Sequence, residues 1–365
     1  MKPVNTAKES DMKNTKTINR RAFLSTGSAA AVAIAATGLS APAVIASPTK
    51  KIKWKFQTHW PTGNWYYDPI FNGLARRIQE ATNGELEIET HQPNSIVSTG
   101  DVLRGVRRGT LDGALIYPAY WVGDIPAAGH LTGNFGTWDS LEEMQFFLHD
   151  MGALEVIREA YATRGVYQVG PISNGGTALY SNKRLETPKD FEGFKVRSNG
   201  SSAQVFEKMG AAPVSITGGE LYQALQTGVV DGAHWGGVSA GWGMNLQEVT
   251  KYIIQPNLAS HQNSEVFVSL KAWNKLGSDF KKVIEDAVLA THLEAAGMFM
   301  MRDLQRMQDF QTEYKGEIVQ MNAEAVALLR SKSLEVVDEI SKRDPKYSGR
   351  IGNILREFMT LTGKA

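Results

Sequence analysis

The segment Lys195-Val196-Arg197-Ser198-Asn199-Gly200-Ser201-Ser202 puts an arginine at the end of an expected strand and small polar residues at the start of an expected helix. A guanidinium is a planar fork that pairs two-to-two with a carboxylate, and the free amides of a helix start add donors and positive potential. The chemistry this favours is anion capture. A surface arginine in a weak salt bridge beside a serine-rich cap would read the same way; the place of Arg197 at a strand's carboxyl end tips the reading towards binding. Aromatic residues supply the second element. Trp60, Trp65, Trp121, Trp235 and Trp242 fall in expected loops after strands, alongside Tyr117 and Tyr120, in a chain of eight tryptophans. Any one of them could be core; as a set they point to a lined cleft, in which apolar walls exclude water and strengthen an ion pair. His234, beside Trp235, could donate to a ligand or satisfy a backbone carbonyl.

A different chemistry competes. Gly237-Val238-Ser239-Ala240-Gly241 matches the Gly-x-Ser-x-Gly elbow of α/β hydrolases and follows an expected strand. Acid and base candidates lie downstream, Glu248 with His261 or Asp279 with His292, but no His-Gly-Gly-Gly oxyanion loop precedes the serine, and with 35 glycines the pattern arises easily by chance. No phosphate-loop, dinucleotide or His-Glu-x-x-His fingerprint is present, and the seven histidines lack metal-site spacing.

The elements that must position these residues alternate. A strand over Ile52–Thr58 leads to a helix from Tyr67 to Thr82, a strand at Leu86–Glu89, a helix at Asp101–Arg108 and a strand at Leu111–Ile116. The order then repeats: strand at Phe194–Val196, helix at Ser202–Met209, strand at Pro213–Ile216, helix at Gly219–Gln226 and strand at Val229–His234. Such alternation implies parallel sheets. Arg108-Gly109-Thr110-Leu111-Asp112-Gly113-Ala114 and Thr227-Gly228-Val229-Val230-Asp231-Gly232-Ala233 align 119 residues apart, which supports a duplicated unit. Between the copies, Ser140–Thr163 reads as an amphipathic helix and Val166–Tyr180 as strand broken at Asn174-Gly175-Gly176, a crossover or hinge. Glu265–Leu270 reads as a strand returning to the first lobe. Beyond it the chain is helical over Asp279–Tyr314, Ala323–Lys342 and Ile351–Thr360, where Met298, Met300, Met301 and Met307 read as core filler.

The 365 residues are 42% hydrophobic and 21% charged, enough for a large core split between two lobes. Met1–Ala46 carries Asn19-Arg20-Arg21-Ala22-Phe23-Leu24, a short apolar run and small residues at Val44-Ile45-Ala46, the pattern of a twin-arginine export signal. Without it the chain has 33 basic and 36 acidic residues, a net charge of about −3, with no basic block to lie along a phosphate backbone. Nucleic acid is therefore not an expected partner, and no later run is long and apolar enough to span a bilayer. The absence of cysteine removes disulfides, iron–sulfur clusters and thiolate sites, and with them most exported redox enzymes.

Phe191-Glu192-Gly193-Phe194-Lys195-Val196-Arg197, its lead-in Thr187-Pro188-Lys189-Asp190, and Glu220-Leu221-Tyr222-Gln223-Ala224-Leu225-Gln226-Thr227-Gly228-Val229-Val230-Asp231-Gly232 resemble the DctP-type solute-binding proteins of TRAP transporters, over roughly residues 50 to 340. The resemblance implies a two-lobed, type II-like periplasmic-binding-protein fold, α/β, each lobe a mixed, mainly parallel sheet flanked by helices, with long C-terminal helices. The expected division is a signal over 1–46, lobe I over 47–174, lobe II over 175–264, a return strand and long helix over 265–330, and C-terminal helices over 331–365. The function implied is that of a periplasmic receptor, without catalysis, that closes on a small organic acid and delivers it to a membrane permease, as a monomer or homodimer; the alternative is a secreted serine hydrolase using Ser239.

The carboxylate-clamping arginine of the family would be Arg197, and its second ligand segment Ala233–Gly236. Trp235 is similar to the 2-oxo-acid branch, which implies a monocarboxylate such as a 2-oxo or 2-hydroxy acid. In that branch a glutamate before the tryptophan and a glutamine on an earlier strand hold a metal ion with the substrate; here His234 and Thr177, or a neighbour, stand at those places, and no metal or other cofactor is expected. The expected binding residues are thus Arg197, Asn199, His234 and Trp235 from the second lobe, with Trp60, Tyr117, Trp121 and Thr177.

Overall fold

The structure is a computed structural model describing residues 51–132 and 134–364; the expected export signal over 1–46 lies outside the described residues. Along the chain run β1 (Ile52–Thr58), α1 (Gly73–Ala81), β2 (Leu86–His91), α2 (Val102–Arg108), β3 (Gly113–Ile116), α3 (Leu141–Gln145), α4 (Ala153–Ala162) and β4 (Val166–Ser173). Next come β5 (Leu179–Ser181), β6 (Lys195–Arg197), α5 (Gly200–Lys208), β7 (Ala212–Val214), α6 (Gly218–Gln226), β8 (Gly232–His234), α7 (Val238–Trp242) and β9 (Tyr252–Gln255). The remainder is β10 (Asn263–Ser269), α8 (Leu270–Trp273), α9 (Ser278–Thr312), β11 (Glu317–Gln320), α10 (Ala323–Arg343) and α11 (Ser348–Leu361).

Two sheets result, ordered β2-β1-β3-β10-β4 and β11-β9-β5-β8-β6-β7. The expected duplication is visible in them. In the first sheet β2, β1 and β3 are parallel neighbours in that order; in the second β7, β6 and β8 repeat it. Each trio is then flanked by an antiparallel strand, β10 beside β3 and β5 beside β8.

The repeated Asp-Gly-Ala has one physical role in both copies. Asp112 accepts the backbone N–H of Lys55 at 2.9 Å, and Asp231 accepts that of Lys195 at 3.0 Å. The glycine behind each has no room for a side chain: a Cβ on Gly113 would meet the Phe56 ring, and one on Gly232 the Phe194 ring and, at 2.6 Å, the Tyr180 carbonyl. Each motif therefore ties the first strand of its unit to the third and leaves room for an aromatic ring at the joint.

The chain passes between the sheets twice side by side. Asn174 N–H donates to Gln262 O at 2.7 Å, Gln262 N–H to Gly175 O at 2.8 Å and Thr177 N–H to Ala259 O at 2.8 Å, so the two crossing segments are laced together. The break at Asn174-Gly175-Gly176 has a steric reason: Gly175 has φ of +72°, and a Cβ there would meet Phe299 at 2.7 Å. A third passage, α9, packs on β4 and α1 of the first sheet and on α7 and β11 of the second.

Three expectations are corrected. The helix expected over Ser140–Thr163 is interrupted, because Gly152 takes φ of +80° and ends the first part in a wide turn. The strands β9 and β11 were not foreseen; β11 is a parallel edge strand supplied by the segment after α9. The methionines of α9 are not all core, since Met300 and Met301 are more than 60% exposed. The C-terminal helices divide their packing: α11 buries Ile351, Leu355 and Phe358 in the core beside the first sheet, while α10 buries Leu329, Val336 and Ile340 in the core beside the second. Among the described residues no helix is long and apolar enough to cross a membrane.

Candidate functional site

The carboxyl ends of the parallel strands meet the crossing segments around one crevice, the arrangement in which open α/β sheets take their ligands. His59 and Trp60 follow β1, Tyr117 and Tyr120 follow β3, Arg197 ends β6 with Asn199 next, and His234, Trp235 and Gly236 come from the end of β8; Asn174 and Gln262 enter from the crossings. The crevice holds about 510 Å³ of space, open solvent at its mouth included.

Arg197 is only 6% exposed. Its Nε donates to Ile216 O and its Nη1 to His234 O, both at 3.0 Å. With the Asn199 amide turned so that its oxygen faces the guanidinium, that oxygen accepts from Nη2 at 2.8 Å, while the amide nitrogen donates to Ser198 O and Ser215 Oγ. Three of five N–H groups are thus held by the protein, leaving one on Nη1 and one on Nη2. The guanidinium carbon lies 4.6 Å from the centre of the Trp235 ring, a cation–π contact. Burial pulls the arginine's pKa down, and only the Tyr120 and Tyr117 hydroxyls oppose it; no carboxylate lines the crevice. The result is a fixed, desolvated cation with two donors to spare and no counter-ion among the described residues.

The surroundings are neutral and rich in donors. His59 and His234 are each pushed down to about 3, first by burial and then by the Arg197 charge, so both rings are uncharged at neutral pH. His234 lies between Phe135 and Phe206, its Nδ1 3.2 Å from Ser198 Oγ. Trp60 stands edge-on to Trp235 at 6.5 Å and stacks on Tyr66 at 4.6 Å. A Cβ on Gly218 would meet the Trp235 ring at 2.7 Å, so this glycine makes room for the indole. Tyr117 donates to Gln262 Oε1 at 2.7 Å. His59 Nδ1, Trp60 Nε1, Trp235 Nε1 and Gln262 Nε2 are buried without a protein partner, which is the pattern of a site made to meet an oxygen-bearing guest.

Of the residues expected from sequence, Arg197, Asn199, His234, Trp235, Trp60 and Tyr117 all border this crevice; Trp121 and Thr177 do not. The turn over Pro118–Trp121 directs Tyr117 and Tyr120 to the crevice and Trp121 into the core, where its Nε1 donates to Tyr161 at 3.0 Å and its ring meets Phe267 at 5.1 Å. Thr177 belongs to the laced crossing, fully buried behind the surface. Trp65 and Trp242 pack under Arg302 and Arg306 of α9. His59, Asn174 and Gln262 were not foreseen. His59 obeys the strand-end rule that singled out Arg197; Gln262 precedes an antiparallel strand, and only the topology brings it to this edge.

The hydrolase alternative fails on geometry. Ser239 is buried, and its Oγ and backbone N–H both donate to Asp303 Oδ1, at 2.5 and 2.7 Å, with no histidine in the arrangement. A serine donating to a carboxylate is a helix-start anchor and not an activated nucleophile. The metal implied for the 2-oxo-acid branch would meet no anionic ligand here. Calcium takes oxygen ligands, carboxylates among them, whereas among the described residues the only formal charge lining the crevice is a cation, and no group of three His, Cys, Asp or Glu is placed to hold a metal ion.

The family model for DctP, bacterial extracellular solute-binding protein, family 7, matches residues 56–344. A monocarboxylate 2-oxoacid-binding periplasmic protein of Nostoc sp. is 26% identical over 286 residues, which is 77% of this chain and 76% of its own. A TRAP periplasmic solute-binding protein from Pseudoalteromonas atlantica, solved with bound sodium and pyruvate, superposes with a TM-score of 0.78 at 20% identity, over 86% of this chain and 95% of its own. One from Colwellia psychrerythraea, with bound calcium and pyruvate, gives the same TM-score, identity and coverage. At such identities the two structures speak for the fold.

Proposed function

The chain belongs to the bacterial extracellular solute-binding protein family 7, and from that membership we propose that it captures a small organic acid bearing one carboxylate, such as a 2-oxo or 2-hydroxy acid, in the periplasm and hands it to a TRAP-type membrane permease. It is a binding protein and not an enzyme. One observation carries the ligand class: Arg197 is buried, has no protein counter-ion and keeps a free N–H on each terminal nitrogen. A carboxylate supplies the missing charge and two acceptors in the matching plane. A second carboxylate would meet no second cation, so one acidic group is favoured over two.

Trp60, Trp235, Tyr117 and Tyr120 would cover the rest of the acid, and Trp60, Trp235 and Gln262 would donate to its oxo or hydroxyl oxygen. Lobe I is assigned to 47–174 and lobe II to 175–264, with 265–330 returning across both and 331–365 closing the chain. The laced crossings 174–178 and 258–262 serve as the hinge about which the lobes close. No metal takes part in this reading, although two solved relatives were found with pyruvate and a metal ion. A thermal-shift panel of mono- and dicarboxylates tests it: an acid at a hundred times its Kd adds about 2.7 kcal/mol of stability. Monocarboxylates that leave the melting point unmoved while dicarboxylates raise it would contradict the reading.

A further inference from the structure

Helix α7 is capped from outside. Its own cap position is Gly237, which has no side chain to satisfy the free N–H groups of the first turn. Asp303 of α9 takes that part. Its Oδ1 accepts the Ser239 N–H at 2.7 Å and the Ser239 hydroxyl at 2.5 Å, and the Val238 N–H also steadies its charge. A Cβ on Gly237 would strike this carboxylate and, at 3.0 Å, the Phe299 ring, so only glycine lets α9 come this close. Asp303 is buried, and among the described residues no cation acts on its charge. A carboxylate in that position is costly unless hydrogen bonds hold it, and those it accepts all come from the first residues of α7.

The cap sits directly behind the ligand crevice. Trp235 and Gly236 are the only residues between β8 and Gly237. On one side they are tied to the crossing segment: Trp235 N–H donates to Ala178 O at 3.3 Å, and Ala178 N–H to Gly236 O at 2.8 Å. On the other side the Asp303 cap holds them. Between these two anchors the Trp235 indole lies 4.6 Å from the Arg197 guanidinium. One turn back on the same face of α9, Phe299 meets Trp65 at 4.7 Å and Tyr66 at 5.7 Å, and Tyr66 stacks on Trp60. A single face of α9 therefore stands behind both indoles of the crevice, although Asp303 itself does not border it.

We propose that Asp303 is a positioning residue for ligand capture: by capping α7 it fixes the Trp235 indole over Arg197 and so sets the affinity without touching the guest. Its effect on affinity rests on the reading of the crevice as an acid site; its effect on the indole does not.

Hydroxyl-radical footprinting of the free protein, read by mass spectrometry, tests the placement. Trp235, 8% exposed, should be labelled at least threefold faster in Asp303→Ala, while Trp138, 4% exposed in the core beside the first sheet, keeps its wild-type rate. Isothermal titration with the acid that gives the largest thermal shift tests the consequence. Asp303→Ala should weaken binding about tenfold, the scale of one lost helix cap. Asp303→Asn, which keeps an oxygen for the Ser239 N–H, should stay within about threefold. In a Trp235→Leu background Asp303→Ala should cost less than about twofold, because the group it acts through is gone. Should Asp303→Ala fail to fold, Gly237→Ala replaces it in both measurements, since its methyl pushes the carboxylate off the cap. Unchanged labelling of Trp235 overturns the proposal, as does a loss of affinity that recurs in full without the indole. Faster labelling in a protein that binds no monocarboxylate supports the placement and refutes the ligand class instead.

Discussion

Substituting Arg197 separates charge from fork geometry. In Arg197→Ala the ligand carboxylate enters a dry crevice with no cation, and losing one partner of a buried pair costs about 3–5 kcal/mol, roughly 150- to 4,000-fold in Kd. Arg197→Lys keeps a charge but offers a point donor in place of the fork that is tied to Ile216, His234 and Asn199. The loss of one charge-assisted hydrogen bond, about 1.5–3 kcal/mol, predicts a 10- to 150-fold weakening. The apo fold should tolerate the alanine change: the freed carbonyls are destabilising, but relief of a buried cation worth several kcal/mol opposes them; the lysine variant keeps the buried charge and can still reach one of the same carbonyls. Isothermal titration with the acid that gives the largest thermal shift should return the order wild type, lysine, alanine, with melting points of the free proteins close together. Alanine binding within threefold of wild type would refute the argument, because no other cation lines the crevice.

Other outcomes follow from the same structure. Since His59 and His234 titrate near 3, the crevice charge is constant and the affinity for a monocarboxylate should be flat from pH 5 to 8; a tenfold change would contradict it. Stability should peak near pH 7 in thermal melts. His59 and His234 at about 3 and His130 and His292 at about 4, all lowered mainly by burial, stay neutral in the fold while the unfolded chain takes up protons below its pKa near 6.5, so acid destabilises. Glu265, raised by burial to about 8, acts in the opposite sense, its contribution full below about 4.5 and lost as the pH rises towards 8. Asp303, raised to about 6, does likewise at lower pH, but these two acids are outnumbered by the four histidines below pH 6. Glu265→Gln should therefore remove the alkaline decline, a relative gain of about 2 kcal/mol between pH 6.5 and 8 by chemical denaturation; an unchanged decline would clear Glu265 of responsibility. Gly232→Ala should destabilise by about 1–3 kcal/mol, because its methyl meets the Tyr180 carbonyl and the Phe194 ring, and an unaltered midpoint would show that the joint relaxes.

Much of this fold could be read in advance because its signals are local. Alternating strands and helices, helix-stopping glycines and the doubled Asp-Gly-Ala sit within a few residues of what they determine, and they placed Arg197, Trp235 and Trp60 at strand ends. The misses have long-range causes. Whether a loop aromatic faces ligand or core is decided by one turn: Tyr120 and Trp121 are adjacent and point to different environments, Trp121 being claimed by Tyr161 and Phe267. Gln262 reaches the site only through the lacing of two crossings. Gly152 ended a helix that its apolar spacing favoured, and β11 exists because β9 offers it an edge. Ser239 lay in a motif whose meaning depended on its neighbour, and that neighbour is Asp303, 64 residues away.

A crystal structure with the captured acid is the most direct trial of the whole account. It should find the two carboxylate oxygens roughly 2.7–2.9 Å from Arg197 Nη1 and Nη2, beneath the Trp235 ring and without a bridging metal ion. An acid whose carboxylate lies elsewhere in the crevice, or reaches the protein through a bound cation while the guanidinium stays unpaired, would contradict it.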